Sequence, residues 1–409
     1  EMRKQGIPMD MQAADDLSAL LKKQEDVLRL RLRHEFNTDC NEMSSPDIAN
    51  VCNTLGILYP RTTLGAPSFT ADYLDASEHP FLVLISDLRE CSGMRNKFVD
   101  GWIHRNQISG RIHPQWKQCA SDDGGTRTGR MAASNPNPQQ VPASSYRKTG
   151  EINPIGSAIR KCFGSDTGLT GKLDYSQQEP KVLVHFANLC KYIGAPQAAA
   201  AYQANPNLDF YNYMMEAAGI GRRPAKDMYL GRCYGMGANK MAAKLNKTKE
   251  EAAAILAVFD ERVPFVKELA DGCNRAANDR GYIKTLLGRR RHFNFWEPIK
   301  MWDMKKQGLD VRARRLDAAQ ALWGKNIRRS DTHKALNALI QGSSADMTKA
   351  ALIKIWKEGK VIPYMQVHDE IVFPANDEAH AKLCKKLAET CVTMTVPVRA
   401  DLSLGKTWK

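Results

Sequence analysis

Three acids stand where a chain can use them together. Asp174 opens DYSQQE, residues 174–179, and Asp369 and Glu370 lie side by side in YMQVHDEIVF, residues 364–373. Val367, Ile371 and Phe373 flank His368, Asp369 and Glu370, so the pattern predicts two short strands whose turn lifts the acids to solvent while the apolar residues anchor them. Carboxylate oxygens suit a hard cation such as Mg²⁺ and leave room for waters and substrate phosphates. Asp174 also ends a predicted strand. Two acids on neighbouring strands can hold two metals about 3.5–4 Å apart, the arrangement used for phosphoryl transfer. Taken singly, each has a plainer account: HDE as a polar turn, and Asp174 as a helix N-cap.

A second cluster is RRPAKDMYLGRCYGMG, residues 222–237. Arg222, Lys226, Leu230 and Tyr234 recur every four residues and drift slowly along one helix face. Two cations one turn apart, followed by an aromatic, suit a triphosphate gripped at one end and a base stacked at the other. Gly231 and Gly235 each cost a helix ~1 kcal/mol relative to Ala, which fits close approach of something bulky. A solvated cationic face is the alternative.

The elements that position these residues are legible in outline. Residues 11–36 have helical periodicity, with Leu17, Leu20, Leu21, Val27, Leu28 and Leu32 toward one face. Ser45 ahead of Pro46 is a candidate cap, and a second helix is predicted over about 80–102. The Gly-, Ser-, Asn- and Pro-rich run 120–157 is mostly loop. Pro180 fits the first turn of a helix after DYSQQE. Residues 208–280 are largely helical, 281–287 a strand or turn, and 333–358 a long helix. A strand–turn–strand over 361–373, a helix over 377–394 and a strand near 396–403 close the chain. Strands near 170, 365 and 400 separated by helical blocks predict one small antiparallel sheet with helical insertions, an α+β layout. There are no internal repeats.

Bulk properties narrow the partner. A length of 409 residues exceeds one compact core and predicts two or three subdomains. A net charge of +14 favours a polyanion, nucleic acid ahead of an acidic membrane. No apolar run approaches the ~20 residues needed to span a bilayer, and the first ten residues lack a secretory h-region. Ten cysteines without a CxxC pair argue against a zinc ribbon and fit a reducing cytoplasm. The chain opens on Glu1 in mid-pattern, as a piece of a longer polypeptide would.

DYSQQE, RRPAKDMYLGRCYG and QVHDEIVF resemble motifs A, B and C of family A DNA polymerases, the family of bacterial DNA polymerase I and many bacteriophage replicative polymerases. TGRMAASNPNPQQVP (128–142), ALNALIQGSSADMTKAAL (335–352), the 41–68 stretch and GKTW (405–408) resemble further family segments in the same order. The likeness covers essentially the whole chain. It implies a right-hand polymerase with an antiparallel-sheet palm and helical fingers and thumb: thumb 12–125, palm 126–195 and 331–409, fingers 196–330. It implies primer extension on a DNA template with dNTPs and two Mg²⁺ ions, in phage-type replication and in a host cytoplasm, with a replisome partner or processivity factor as a further partner.

Residue by residue, the resemblance makes Asp174 and Asp369 the metal ligands and Glu370 the auxiliary acid. Arg222 and Lys226 hold the triphosphate, and Lys226 also donates a proton to the leaving pyrophosphate. Tyr234 and Glu179 exclude a 2′-hydroxyl, and Gln177 and Leu230 complete the nucleotide site. Arg130 and Gln341 read the minor-groove acceptors that all correct pairs share. Asn137, Gln139, Asn337, His368 and Lys181 meet primer or template; loop caps and helix polar faces are the alternatives for several of these.

Four positions depart from the family pattern. Leu230 replaces an aromatic and predicts slower incorporation. Lys181 replaces an Arg, weakening bidentate contact. Tyr211 replaces a His that contacts phosphate, and Gln178 replaces an apolar residue beside the catalytic acid. The basic, aromatic stretch 289–330 is longer than the bacterial pattern and reads equally as an insertion reaching for template or partner, or as a solvated loop. No nuclease motif precedes residue 40, so proofreading is absent or lies outside this chain. Two rivals remain. One is a single-subunit RNA polymerase, opposed by Glu179 with Tyr234. The other is a non-catalytic DNA-binding module, which has no need of the acids and triphosphate cations together.

Overall fold

The computed structural model describes residues 1–119, 125–144, 152–212, 215, 221, 225–226, 228–229, 231, 236, 238–245 and 247–409. The chain divides into two compact units. One comprises Glu1–Gln115, Ala133–Gly171 and Leu404–Lys409; the other comprises Trp116–Ala132 and Lys172–Ser403.

The first unit is built on the helices Met11–Phe36, Ser45–Leu55 and Pro80–Met94. The long helix starts where Asp10 accepts a hydrogen bond from the Ala13 N–H and ends on Asn37 in the left-handed region. Its buried stripe is Ala14, Leu17, Leu21, Glu25 and Leu32. Leu20 and Val27, expected on that face, are instead 52% and 50% exposed. The apolar period drifts at those two positions, and the buried slot at 25 holds a carboxylate paired with Arg29 and Arg95, at 3.1 and 2.9 Å. The next helix is capped by Ser44, not Ser45, through the Asp47 N–H, which leaves Pro46 inside the first turn. The Pro80–Met94 helix continues into a π-helical segment, Arg95–His104. At the chain's end Trp408 is fully buried, edge-on to Phe163 at 5.0 Å and 4.0 Å below the Arg160 guanidinium.

The four-stranded sheet has the order Met365–Val367, Glu370–Pro374, Thr170–Tyr175, Ala400–Gly405, and both hairpin strands with residues 172–175 and 400–403 belong to the second unit. Against the single sheet expected from sequence, the described residues form five, the other four being ribbons of two or three short strands. Strands of two or three residues are too short for a period-2 pattern to register. Helices Gln178–Leu189, Pro264–Arg280 and Ala335–Lys357 contribute Val182, Phe265, Leu336 and Ile340 to one apolar core.

The 289–330 stretch is ordered around two ribbons. Tyr282–Lys284 pairs antiparallel with Arg290–His292. Trp296–Pro298 pairs antiparallel with Ile327–Arg329, closing the base of a segment that carries helices Met301–Lys306 and Leu316–Trp323. Glu297 ties this base together, accepting from Arg328 and from the Ser330 hydroxyl, both at 2.9 Å. No helix among the described residues is long and apolar enough to cross a membrane.

Candidate active site

The hairpin at 365–374 answers to its pattern. Met365 pairs with Val372, Gln366 with Ile371 and Val367 with Glu370, leaving His368 and Asp369 as the turn. His368 is exposed at φ 60, the left-handed conformation a two-residue hairpin demands of its first position. Val367, Ile371, Val372 and Phe373 are buried.

Asp174 lies on the neighbouring strand of the sheet. Leu173 and Tyr175 point inward and Asp174 outward, so strand alternation alone delivers its carboxylate to the surface that carries the turn. Partial withdrawal from water, together with the charges of Asp369 and Glu370, pushes the Asp174 carboxyl up to about 7. Lys172 opposes this, and its Nζ also lies 3.9 Å from Glu370. Like charges are therefore gathered with one lysine against them. That donor set, all oxygen and net negative, fits a hard divalent cation. Among the described residues no group of three His, Cys, Asp or Glu side chains forms a ready cage. Two carboxylates that leave the remaining positions to waters and phosphate oxygens match the way Mg²⁺ is held.

After Tyr175, whose hydroxyl donates to the Ala388 carbonyl at 2.9 Å, the chain turns into the Gln178–Leu189 helix. Gln177 makes the turn at φ 51. Its side chain is engaged in structure, donating to the Leu208 carbonyl at 3.1 Å and accepting from the Phe210 N–H at 2.8 Å. Gln178 is buried and donates to the Ser344 carbonyl and the Thr348 hydroxyl, at 3.2 and 3.1 Å. The neighbouring helix thus supplies acceptors for this buried amide.

Glu179 accepts from Arg130 at 2.5 Å. Burial pushes the Glu179 carboxyl up, Arg130 pulls it back, and Asp369 adds to the rise. Gln341 is 8% exposed on the Ala335–Lys357 helix, one turn beyond the half-buried Asn337. In the first unit, Asn137 caps a short 3-10 turn by accepting from the Gln139 N–H at 3.0 Å, which is the loop-cap role weighed for it.

Lys181, which the resemblance sets at primer or template, is buried. It is 3% exposed, with Nζ 5.8 Å from the Tyr202 ring centre, and among the described residues Nζ meets no hydrogen-bond acceptor. Burial first, then Arg399, pulls it down to about 8. Position 181 lies on the inner face of its helix, and the hydropathy of a lysine gives no sign of that.

Of the motif over 222–237, Arg222, Leu230 and Tyr234 lie outside the described residues. Lys226 is exposed while Ala225, Met228 and Tyr229 are buried. Its Nζ stands 5.8 Å from the Tyr211 ring centre, and Tyr211 meets Tyr229 edge-on at 5.7 Å. The space beside Gly231 is taken by the Met241 side chain, so close packing within the protein accounts for that glycine.

Residues that sequence reasoning missed lie at Arg289, Asp346 and Thr285. Arg289 begins a run of three arginines that reads as a solvated surface. Asp346 instead sits 6% exposed, with Arg289 Nε at 3.1 Å and the Thr285 hydroxyl donating to it. The available signal was an acid, Asp346, set between Ala345 and Met347 in a long helix, which demands a partner once buried.

An α+β unit with helix-flanked acids on a hairpin turn and a neighbouring strand has a counterpart among solved structures. The fold matches the "POL domain of Pol1 from M. smegmatis complex with DNA primer-template and dNTP" over 100% of this chain and 68% of that one, with a TM-score of 0.75 and 23% identity. It is thus the fold of a polymerase domain. The profile of DNA polymerase family A matches residues 11–409, and the chain belongs to that family. A DNA-directed DNA polymerase of Pseudomonas phage M6 is 30% identical over 459 aligned positions, covering 100% of this chain and 63% of that protein. The thermostable DNA polymerase I of Thermus aquaticus is 28% identical, covering 98% of this chain and 44% of that protein. The chain therefore spans less than two thirds of these relatives' lengths.

Proposed function

We propose that this chain is the polymerase portion of a template-directed DNA polymerase that extends a primer 3′-hydroxyl with dNTPs by two-metal phosphoryl transfer, in replication of the phage type within a host cytoplasm. The observation that carries the proposal is the gathering of Asp174, Asp369 and Glu370 on neighbouring strands of one sheet, a concentration of carboxylates that calls for cationic neutralisation. Family membership and the primer-template and dNTP bound by the structural relative support it. Two Mg²⁺ ions, when bound, supply activation of the primer hydroxyl and neutralisation of triphosphate charge. Asp174 and Asp369 hold them, and Glu370 adds a further anion beside Asp369.

Arg222 and Lys226 grip the triphosphate, with Lys226 supplying the proton for departing pyrophosphate. Glu179 and Tyr234 press on the sugar edge and exclude a 2′-hydroxyl, with Leu230 and Gln177 shaping the same site. Arg130 and Gln341 check the minor-groove edge of the primer terminus, and Asn137, Gln139, Asn337 and His368 contact the strands. We assign residues 12–125 to the thumb, 126–195 and 331–409 to the palm, and 196–330 to the fingers.

Extension of a labelled primer on a DNA template with Mg²⁺ tests the assignment. Wild type is expected to extend with dNTPs and not rNTPs, and Asp369→Ala to abolish extension while keeping primer-template binding. A wild type that binds DNA without extending it would replace the enzyme with a binding module.

A further inference from the structure

One guanidinium joins the two segments that carry Arg130 and Gln341. Arg289 Nη2 donates to the Thr128 carbonyl at 2.7 Å and to the Gly342 carbonyl at 3.0 Å. Thr128 is two residues before Arg130, and Gly342 directly follows Gln341. Arg289 Nε donates to Asp346 Oδ1 at 3.1 Å. The other oxygen of Asp346 accepts from the Leu287 N–H at 3.2 Å and from the Thr285 hydroxyl. Ser343 Oγ accepts from the Leu286 N–H at 3.0 Å. The 285–289 turn is thereby bolted to the middle of the Ala335–Lys357 helix, and from that mount Arg289 reaches the 128–130 loop.

The slot for the guanidinium is made by two glycines. A Cβ at Gly129 would lie 2.5 Å from Arg289 Cζ, and the φ of +84° there excludes most other residues. A Cβ at Gly342 would lie 2.8 Å from Arg289 Nη2 and 2.6 Å from the Thr285 methyl. A lysine can satisfy Asp346 but not the two carbonyls as well, because Arg289 meets the carboxylate from Nε and both carbonyls from Nη2, donors that the planar guanidinium holds apart and a single ammonium does not have. At its far end, the loop is held by Arg130 itself through Glu179.

We propose that Arg289 is a positioning residue that sets the spacing between Arg130 and Gln341, so that rejection of a mispaired primer terminus depends on it. This rests on the polymerase assignment above. Minor-groove acceptors occupy equivalent places in all correct base pairs, and a mismatch displaces them. Two donors at a fixed separation register that displacement; two donors free to drift follow it.

The test compares kcat/KM for extending matched and mismatched primer termini. Arg289→Lys keeps the charge against Asp346 and is the working variant; Asp346→Asn, which loosens the mount while leaving Arg289 in place, is the second. Each is expected to lower the matched-to-mismatched ratio by about tenfold or more, the scale that misplacement by an ångström commands. In a Gln341→Ala background, Arg289→Lys is expected to lower the ratio no further, since the two act through one contact. Equal loss on matched and mismatched termini, or independent multiplication of the two effects, overturns the proposal and leaves Arg289 a structural brace. Failure of wild type to extend any primer overturns the polymerase assignment instead, and this inference with it.

Discussion

Lys181→Met is the substitution with the most sharply defined expectation. The Lys181 ammonium is 3% exposed, lacks an acceptor among the described residues, and has its proton affinity pulled down to about 8 from the usual 10.5. Burial is the main cause, with the Arg399 charge second and Asp401 and Glu389 opposing. At ~1.36 kcal/mol per tenfold in affinity, keeping this lysine charged costs the fold about 3 kcal/mol. Met has a similar length and no charge, so Lys181→Met is expected to gain about 1–3 kcal/mol at pH 7, the lower bound allowing for the lost contact with Tyr202 and the two acids.

The pH dependence carries a definite sign. Between pH 8 and 10.5 the unfolded chain still holds the proton that the folded chain has released, so wild-type stability rises with pH relative to the variant. The variant's advantage is therefore constant below about pH 8 and disappears toward 10.5. Urea unfolding followed by tryptophan fluorescence at pH 7, 8, 9 and 10, taken as wild type minus variant, cancels the other titrating groups. An advantage that is absent at pH 7, or unchanged across this range, would refute the account of Lys181 as an uncompensated buried charge.

Three further outcomes follow from the site. Gln178→Leu is expected to cost only about 1 kcal/mol in urea unfolding, because the Ser344 carbonyl still accepts from the Thr348 hydroxyl at 3.1 Å; a loss above about 3 kcal/mol would mean a network role for the amide. Glu179→Gln removes the charge that holds Arg130 and is expected to lower dNTP-over-rNTP selectivity in kcat/KM about tenfold, and an unchanged ratio would exclude Glu179 from sugar selection. Arg290 and Arg291 line a cleft of about 320 Å³ with Arg127, Phe293 and Phe295, so charge reversal at either is expected to weaken binding of a primer-template with a long single-stranded 5′ overhang and to reduce the salt slope by about 0.7; equal affinity for overhung and blunt DNA in the variants and wild type would return this cleft to ordinary solvated surface.

What the sequence determined by itself was local and chemical. The hairpin at 365–374 is written in alternating apolar residues around a polar pair, and Asp174 faces outward because Leu173 and Tyr175 must face in. The Met11–Phe36 helix was legible from its periodicity, and the order of motifs along the chain was enough to indicate the family. Only the tertiary structure decided what long polar side chains meet. Gln177, Gln178, Lys181 and Arg289 carry no mark in their types to say whether they face water, a carbonyl or an aromatic ring. Hydropathy places each of them at the surface, yet Gln178 and Lys181 are buried, and Gln177 and Arg289 spend their donors on carbonyls far along the chain. The physical reason is range. Strand alternation, helical period and caps depend on residues within a few positions, whereas the partner of a buried polar group is supplied by whichever distant backbone packing brings within 3 Å.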